Sequence, residues 1–303
     1  MKKVLIFGAC GFVGHYLVDS FASAKYEVFA SDTLEDSKGL KCSYTKADIT
    51  DFNQVNSLIT RTAPDYIVNL AAIASVALSW KIPQKTFSVN VLGILNILES
   101  LVANKLLSTK VLVVGSSEEY LPKNEPLSVS DPLDSNNPYG VSKTTQEQLA
   151  RIYSQKYGIP IIMVRSFNHT GVGQSDSFVI PSFCKQVAEI EKSHKPGKIY
   201  VGNLTAVRDF SDVRDVVGCY RWLLENKDSG VYNVGSGDAH SMREILDLVI
   251  SMSSEKIEVV ADPAKFRPVD TPYICCKKGE TPYPFSFTLK ETIKSLFSFY
   301  LKS

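Results

Sequence analysis

Short apolar runs alternate with amphipathic segments along the front half of the chain. Runs rich in Val, Ile and Leu predict buried strands at KVLIFG, YEVFASD, CSYTKADI, DYIVNLAA, KVLVVGSS and IPIIMVRSF. Segments with helical periodicity lie between them at HYLVDSFASA, FNQVNSLITRT and FSVNVLGILNILESLVAN, and a further helix is expected from Pro138. Because such alternation is typical of a parallel sheet covered on both faces, it predicts an α/β fold with a doubly wound sheet.

The pattern changes after about residue 170, where Pro and Gly become frequent and the segments are mixed. The segment SGVYNVG (229–235) still predicts one more strand of the sheet. The expected domains are a sheet domain at 1–165 with 206–235, and a smaller mixed α/β lobe at 166–205 with 236–303. We expect this lobe over the carboxyl edge of the sheet, where open α/β sheets bind ligands.

Composition and charge exclude several classes of partner. The chain has 303 residues, of which 44% are hydrophobic, and its net charge of +1 gives no general attraction to nucleic acid or to an anionic membrane. The apolar run at Val4–Phe7 is followed at once by glycines, so a buried strand explains it better than a signal peptide. The six cysteines form no C-x-x-C pair and the four histidines are scattered, which predicts a cytoplasmic protein without a metal site.

A glycine-rich segment follows the first predicted strand and opens a helix. GACGFVG supplies Gly8, Gly11 and Gly14, and Asp32 follows at the end of the second strand. The glycines permit a tight turn and close approach of the backbone to a pyrophosphate, while a carboxylate at this distance accepts hydrogen bonds from a ribose. The segment therefore predicts an NAD(P) site. Asp32 would repel a 2′-phosphate, which favours NADH, and Asp48 at the end of the third strand is a candidate for contact with the adenine.

A tyrosine and a lysine lie four residues apart in SNNPYGVSK. Asn137 is a suitable helix cap and Pro138 a suitable first residue, so Tyr139 and Lys143 are expected side by side on one helical face. An ammonium next to a phenol favours the phenolate, so we expect a lowered pKa at Tyr139 and a role in proton transfer. A tyrosine–lysine pair at this spacing is also common as a plain surface contact.

A third polar group strengthens the functional interpretation. The apolar strand VLVVGSSEEY ends in Ser116, at the edge of the sheet where the cofactor is expected. A serine there can donate a hydrogen bond to a reacting oxygen. The hypothesis is a Ser–Tyr–Lys set in which Ser116 orients, Tyr139 transfers the proton and Lys143 tunes its acidity and holds the nicotinamide ribose.

These motifs together resemble the extended short-chain dehydrogenase/reductase family. The resemblance rests on GACGFVG, NLAA at 69–72, SVNVLG at 88–93, GSSEEY and YGVSK. It implies a Rossmann domain that binds NAD(P), a small nucleotide-sugar lobe and a homodimer built on a four-helix contact. Beyond the residues named above, the implied cofactor contacts are Phe12, Val13, Ile49, Leu70, Ala71, Ala72 and Asn90.

The second half is similar to the GDP-4-keto-6-deoxy-D-mannose reductases and, next, to the GDP-mannose 4,6-dehydratases. The similar segments are RSFNHTGVGQ, FVIPSFCKQVAEIE, VGNLTAVRDFSDVRDVV and FRPVD. The resemblance implies a diphosphate held by Asn168, Arg208 and Arg267, a ribose held by Asp270, and a guanine near Val179, Ser182 and Asn203. Without it, Arg208 beside Asp209 would be interpreted as a surface ion pair and Arg267 as an ordinary loop arginine.

The resemblance leaves three functions open. One is reduction by NAD(P)H of the C4 ketone of a GDP-4-keto-6-deoxy sugar, a hexose or a heptose. Another is 4,6-dehydration or epimerisation of a nucleotide sugar, because Glu118 stands where the dehydratases carry a carboxylate that acts at C5 and C6. The early loop typical of the dehydratases has no counterpart between Asp32 and Asp48, which favours the reductase. A third is a non-catalytic dinucleotide-binding regulator, for which a damaged Ser–Tyr–Lys set would be expected.

Two departures from the family pattern affect the binding segments. Leu121 replaces a glycine that is frequent after the GSSEEY motif. The stretch after Asp270 lacks the family's Asp-x-Ser/Thr-Lys segment. The resemblance therefore implies no nucleotide-sugar contact after residue 270.

Overall fold

The computed structural model describes residues 1–266 and 271–303 and divides into two units. Unit 1 comprises Met1–Leu121, Val129–Ser166 and Val217–Val234. Unit 2 comprises Pro122–Ser128, Phe167–Val216 and Gly235–Ser303.

Unit 1 is built on a parallel sheet, which has seven strands in the described part of the chain. The strands are β1 (Lys3–Phe7), β2 (Glu27–Asp32), β3 (Ser43–Lys46), β4 (Tyr66–Asn69), β5 (Lys110–Ser116), β6 (Ile161–Ser166) and β10 (Gly230–Val234). Their order is β10-β6-β5-β4-β1-β2-β3, and every neighbouring pair is parallel. The chain thus proceeds from β1 towards one edge and then crosses back towards the other, which confirms the predicted doubly wound sheet.

Helices connect these strands and bury their apolar faces on the sheet. They are α1 (Phe12–Ser23), α2 (Phe52–Thr62), α3 (Val76–Lys81), α4 (Pro83–Phe87), α5 (Gly93–Ala103) and α6 (Pro138–Tyr157), with α8 (Val213–Asn226) ending in this unit. One core cluster joins strand residues such as Leu5, Ile67 and Val111 to helix residues such as Leu58 and Ile97. The Val/Ile/Leu runs are therefore buried, as the pattern predicts.

One long helical segment in unit 1 is apolar enough to be a candidate membrane span. A π-helical turn at Ser88–Leu92 joins α4 to α5, so one continuous helix of 21 residues runs from Pro83 to Ala103. Ile94, Ile97, Leu98 and Leu101 lie in the core of the unit, which is the alternative explanation for an apolar helix of this length.

Local signals set the ends of the helix that carries the tyrosine and the lysine. The Asn137 side chain accepts a hydrogen bond from Gly140 N at 2.9 Å, and Pro138 is the first helical residue. Gly158 ends α6 in the left-handed conformation, with φ 72°. The predicted cap and start of this helix are confirmed, and they fix the position of Tyr139 in its first turn.

Unit 2 combines short strands with three helices in its described residues. The strands are β7 (Asn168–Thr170), β8 (Gly197–Val201), β9 (Val207–Asp212), β11 (Ala239–Ser241), β12 (Ile257–Ala261) and β13 (Tyr273–Ile274). The helices are α7 (Val179–Ser193), α9 (Met242–Ile250) and α10 (Leu289–Lys302), and the first residues of α8 also belong here. A separate core cluster includes Phe183, Ile199, Leu246 and Leu296.

The boundary between the units differs from the one expected from the sequence. Residues 206–216, which we expected in the sheet domain, lie in unit 2. The reason is the pairing of β9, which bonds to β7, β11 and β13 rather than to the seven-stranded sheet. Such pairing partners are distant in sequence, so periodicity does not reveal them.

Candidate active site

The glycine loop after β1 has the conformation that its sequence predicts. Gly8 has φ +76°, and a Cβ there would lie 2.6 Å from Ala71 N and 2.8 Å from the carbonyl carbon of Leu70. A Cβ on Gly14 would lie 2.3 Å from Ala9 O. Side chains at either position are therefore excluded by the backbone of the neighbouring segment.

The first turn of α1 suits an anionic group. Its N-cap is Gly11, which has no side chain to cap the N–H groups, and the first turn carries no acidic residue. Phe12 and Val13 are half-buried in this turn. A helix N-terminus with these features favours a pyrophosphate, so the residues present fit the dinucleotide implied by the motif.

Asp32 lies beside the glycine loop, although 22 residues separate it from Cys10. Its Oδ2 accepts a hydrogen bond from Cys10 N at 3.1 Å, and its Oδ1 accepts one from Thr33 N at 2.8 Å. The side chain is half-buried at the end of β2. A carboxylate held in this way is available to ribose hydroxyls and repels a 2′-phosphate.

The remaining predicted cofactor contacts of the middle strands lie at the same end of the sheet. Leu70, Ala71 and Ala72 follow β4 and are half-buried. Asp48 is exposed, and its Oδ1 accepts hydrogen bonds from Thr50 N at 2.9 Å and Thr50 Oγ1 at 2.7 Å. Ile49 is buried. Contact of these residues with a cofactor stays a prediction.

Asn90 is occupied by bonds within the protein. Its Oδ1 accepts a hydrogen bond from Ile73 N at 2.8 Å, and its Nδ2 donates to Ser142 Oγ at 2.8 Å. The residue is fully buried and connects the segment after β4 to helix α6. These bonds indicate that Asn90 braces the site, while a direct bond to a cofactor stays a prediction.

Tyr139 and Lys143 share one face of α6, as their spacing predicts. Both side chains are buried, and the ammonium lies 6.0 Å from the centroid of the phenol ring. Lys143 Nζ donates to Val114 O at 2.7 Å and has a long contact with Gln146 Oε1 at 3.4 Å. Because an ammonium has three N–H donors, this arrangement leaves capacity for a further acceptor such as a ribose hydroxyl.

Burial changes the expected acidity of both groups. It raises the pKa of the Tyr139 phenol, a hydrogen bond with Ser116 partly offsets this rise, and the nearby carboxylates of Glu119 and Glu118 add to it. Burial also lowers the pKa of Lys143 to about 8. The expectation that the ammonium lowers the pKa of Tyr139 is therefore wrong: desolvation dominates, and the phenol stays protonated at neutral pH.

Ser116 is the last residue of β5 and lies beside the phenol. Its side chain is buried, and the hydrogen bond between the two hydroxyl groups favours the phenolate. Its Oγ accepts a hydrogen bond from Glu118 N at 3.2 Å. The structure thus brings together the three groups that the sequence singled out, within unit 1.

Glu118 lies in the short helical turn Ser117–Glu119 after β5, next to the cap of α6. Its Oε2 accepts a hydrogen bond from Asn137 Nδ2 at 3.0 Å. The approach is close because α6 has a glycine at position 140, where a Cβ would lie 2.2 Å from Glu118 O. A carboxylate is therefore held near the phenol, as the resemblance implies for a dehydratase.

Two supporting residues were missed by the sequence analysis. Ser79 Oγ accepts a hydrogen bond from Tyr139 N at 3.2 Å and so positions the first turn of α6. Glu119 is fully buried, and its Oε1 accepts a hydrogen bond from Ser116 N at 2.7 Å. Glu119 falls within the GSSEEY motif, but nothing in its sequence context distinguishes it from an exposed glutamate.

The candidate substrate residues in the described part of unit 2 lie on several elements. Asn168 begins β7 and pairs with Phe210, and Arg208 lies two residues before Phe210 on β9. Val179 and Ser182 lie in the first turn of α7, and Asn203 precedes β9. Arg267 and Asp270 lie outside the described residues. The contacts of all these residues with a nucleotide stay predictions.

The alternative interpretation of Arg208 as half of a surface ion pair with Asp209 is wrong. Both residues are buried. Asp209 instead accepts hydrogen bonds from Ser236 N at 3.1 Å, Gly237 N at 2.9 Å and Cys276 N at 3.2 Å. This carboxylate fixes the loop at 236–237, while Arg208 Nη1 donates to Val207 O at 2.9 Å.

Comparison with known proteins places these features in a family context. The family model for GDP-mannose 4,6 dehydratase matches residues 5–279. The chain is 31% identical to GDP-6-deoxy-D-mannose reductase of Pseudomonas aeruginosa over 88% of this chain and 85% of that protein. It is 30% identical to GDP-6-deoxy-D-talose 4-dehydrogenase of Aggregatibacter actinomycetemcomitans over 89% of this chain and 86% of that protein.

A solved structure agrees with the fold. RMD from Pseudomonas aeruginosa, solved in complex with NADPH, superposes with a TM-score of 0.85 and 26% identity. The match covers 100% of this chain and 99% of that one. The similarity thus includes both units.

Proposed function

Because the chain belongs to the GDP-mannose 4,6 dehydratase family, we propose that it reduces the C4 ketone of a GDP-4-keto-6-deoxy sugar with NAD(P)H. The observation that carries this proposal is the intact set of Ser116, Tyr139 and Lys143, buried together in unit 1. Similarity over 88% of the chain to a GDP-6-deoxy-D-mannose reductase supports the choice of reaction.

Tyr139 serves as the proton donor in this proposal. Burial raises the pKa of its phenol, so the group carries its proton at neutral pH. When bound, the reduced nicotinamide supplies the hydride. The phenol then protonates the alkoxide oxygen at C4, and positioned general acids of this kind contribute about 10² to 10⁴ in rate.

Ser116 and Lys143 support this proton transfer. The hydrogen bond between Ser116 and the phenol favours the phenolate that remains after transfer. Lys143 has a pKa of about 8, so it is largely charged at neutral pH and opposes the negative charge on the phenolate. Its remaining donor capacity suits a ribose hydroxyl.

The glycine loop and Asp32 are the proposed cofactor site. The close backbone packing at Gly8 and Gly14 and the uncapped start of α1 suit a pyrophosphate. Asp32 favours NADH, since its carboxylate would repel the 2′-phosphate of NADPH. The structure of the similar P. aeruginosa protein contains NADPH, so both cofactors must be compared experimentally.

In unit 2, we propose that Asn168 and Arg208 bind the diphosphate of the GDP-sugar. They lie on neighbouring strands that pair at Asn168 and Phe210. A guanidinium forms charge-assisted bonds to phosphate oxygens and an amide adds a neutral donor. Arg267 and Asp270 complete the proposed nucleotide contacts by the family resemblance.

Supplying GDP-4-keto-6-deoxymannose together with NADH or NADPH tests the reaction. The expected result is loss of absorbance of the reduced nicotinamide, coupled to formation of a GDP-deoxyhexose. Identification of the product establishes the configuration at C4. The proposal fails if purified protein with bound cofactor consumes no reduced nicotinamide with this substrate.

Dehydration of GDP-mannose is a second candidate because of Glu118. Its carboxylate is held by Asn137 and adds to the raised pKa of Tyr139, so it lies near the phenol. The dehydratase would convert GDP-mannose alone to a keto sugar with no net change in cofactor. Comparing the two substrates with one protein preparation separates the candidates, and Glu118→Gln should abolish dehydration only.

A further inference from the structure

A second carboxyl group lies buried beneath the candidate active site. Glu119 is fully buried and ends the short helical turn Ser117–Glu119 after β5. Its Oε1 accepts a hydrogen bond from Ser116 N at 2.7 Å. Gly115 leaves the room for it, because a Cβ at that position would lie 2.2 Å from Glu119 Oε1.

The carboxyl group of Glu119 receives few hydrogen bonds from its neighbours. Within the described residues, Glu119 Oε2 is buried without a hydrogen-bond partner. The guanidinium of Arg165 is already bound to Glu147, at 2.9 Å through Nε and 2.8 Å through Nη2. A carboxylate with a single donor in a protein core is costly, so the neutral acid is favoured.

The groups around Glu119 are charged or titratable. Lys143 and Glu147 come from α6 and Arg165 from β6, and all three act on Glu119 through their charges. The charge of Glu119 raises the pKa of Tyr120, the next residue in the chain. The charges of Glu119 and Glu118 raise the pKa of Tyr139 on α6. Burial, together with the charge of Glu147, raises the pKa of Glu119 to about 8.

We propose that Glu119 is a positioning residue of the Ser116–Tyr139–Lys143 site, where it holds the backbone of Ser116 and controls by its charge how tightly Tyr139 and Lys143 bind their protons. The inference rests on the proposed function only in taking these three residues as the reacting set. The neutral acid carries no charge, so it does not change how tightly the Tyr139 phenol and the Lys143 ammonium bind their protons. The ionised form strengthens proton binding at both.

Ionisation of Glu119 changes proton binding at Tyr139 and Lys143 in the same direction. As pH rises and Glu119 ionises, its negative charge keeps protons on Tyr139 and Lys143 to a higher pH. A side chain that cannot ionise removes this effect, so both neighbours should lose their protons at lower pH. For a reductase that uses a protonated phenol, the alkaline limb of kcat/KM should then move to lower pH.

Glu119→Gln tests the charge without removing the acceptor for Ser116 N. Titration of Lys143 by NMR in protein labelled with [13Cε]lysine, with the signal assigned through Lys143→Arg, requires no substrate. We expect the midpoint of Lys143 to fall by about one pH unit, a usual size for loss of a nearby opposite charge. The same downward movement is expected in the alkaline limb of kcat/KM.

Two comparison variants separate charge from packing. Glu119→Met is neutral and similar in length but cannot accept the Ser116 N–H, so it should lower the Lys143 midpoint and also reduce kcat. It also provides a second test of charge if Glu119→Gln does not fold. Glu99→Gln changes an exposed glutamate on α5 and should leave the Lys143 midpoint in place.

An unchanged Lys143 midpoint in the folded Gln or Met variant overturns the inference and leaves Glu119 a packing residue. Failure of the proposed reaction gives a different result. In that case no keto sugar is reduced by the wild type, while the midpoint measured by NMR still moves in the variants. The two hypotheses are therefore tested separately.

Discussion

Asn137 Nδ2 donates a hydrogen bond to Glu118 Oε2 at 3.0 Å, while Asn137 Oδ1 accepts one from Gly140 N at 2.9 Å. A single side chain thus caps helix α6 and holds the turn that follows β5. Ser116 lies two residues before Glu118 in the chain, and Tyr139 lies two residues after Asn137. This link therefore helps to set the separation of Ser116 and Tyr139, together with the hydrogen bond from Lys143 Nζ to Val114 O.

Asn137→Ala should lower the free energy of unfolding by about 1 kcal/mol, the usual cost of losing an N-cap. Turnover should fall further, because Tyr139 lies in the first turn of the uncapped helix. Asn137→Ser is the matched control: it can restore the cap but cannot reach Glu118 as an amide does. Urea denaturation and steady-state kinetics on the three proteins measure both effects, and equal turnover in all of them contradicts the role given to this link.

Tyr139→Phe should reduce kcat by on the order of 100-fold or more, since the proton donor is lost while the ring remains. Cofactor affinity should change little, because Lys143 and the glycine loop are intact. Fluorescence titration with NADH measures binding, and single-turnover kinetics measure hydride transfer. A variant that retains wild-type turnover would remove Tyr139 from the reaction.

Asp32→Asn should increase the preference for NADPH relative to NADH. The amide keeps the shape of the side chain but no longer repels a 2′-phosphate. The measurement is the ratio of kcat/KM for the two cofactors. Asp19→Asn, an exposed position on α1, serves as the control for loss of one negative charge. An unaltered ratio in Asp32→Asn argues against the ribose contact.

Stability should depend on pH through Glu119 in a predictable direction. Burial raises its pKa from 4.5 to about 8, so the folded chain binds this proton more tightly than the unfolded chain. The folded state therefore holds more protons between these pH values, and the free energy of unfolding falls as pH rises through that range. Glu119→Gln should lack this decline.

The difference in unfolding free energy between Glu119→Gln and wild type isolates the contribution of this group. It should shift in favour of the variant as pH rises from 4.5 to about 8. Denaturation at several pH values measures it, with Glu99→Gln as the control at an exposed site. A difference that does not vary with pH would mean that Glu119 is ionised throughout.

Three expectations from the sequence stay predictions. They are the homodimer, the cytoplasmic location and the preference between NADH and NADPH. Sedimentation analysis and the cofactor comparison above test the first and the last. Identification of any nucleotide that purifies with the protein tests the expectation of guanine.

Local sequence signals were sufficient to predict the sheet and the main turns and caps of unit 1. The apolar runs, the glycines at 8 and 14 and the cap at Asn137 each act over a few residues, so their consequences can be deduced without the fold. The spacing of Tyr139 and Lys143 follows from helical geometry in the same way. These signals correctly predicted the parallel sheet, the glycine turn and the shared helical face.

Tertiary structure alone decided the environments of the charged groups. Burial raises the pKa of Tyr139 against the expectation from its neighbouring lysine, and it leaves Glu119 with an unpartnered oxygen. Asp209 binds a loop rather than Arg208, and β9 joins unit 2. Such outcomes depend on desolvation and on partners distant in sequence, so they arise only when the segments pack together.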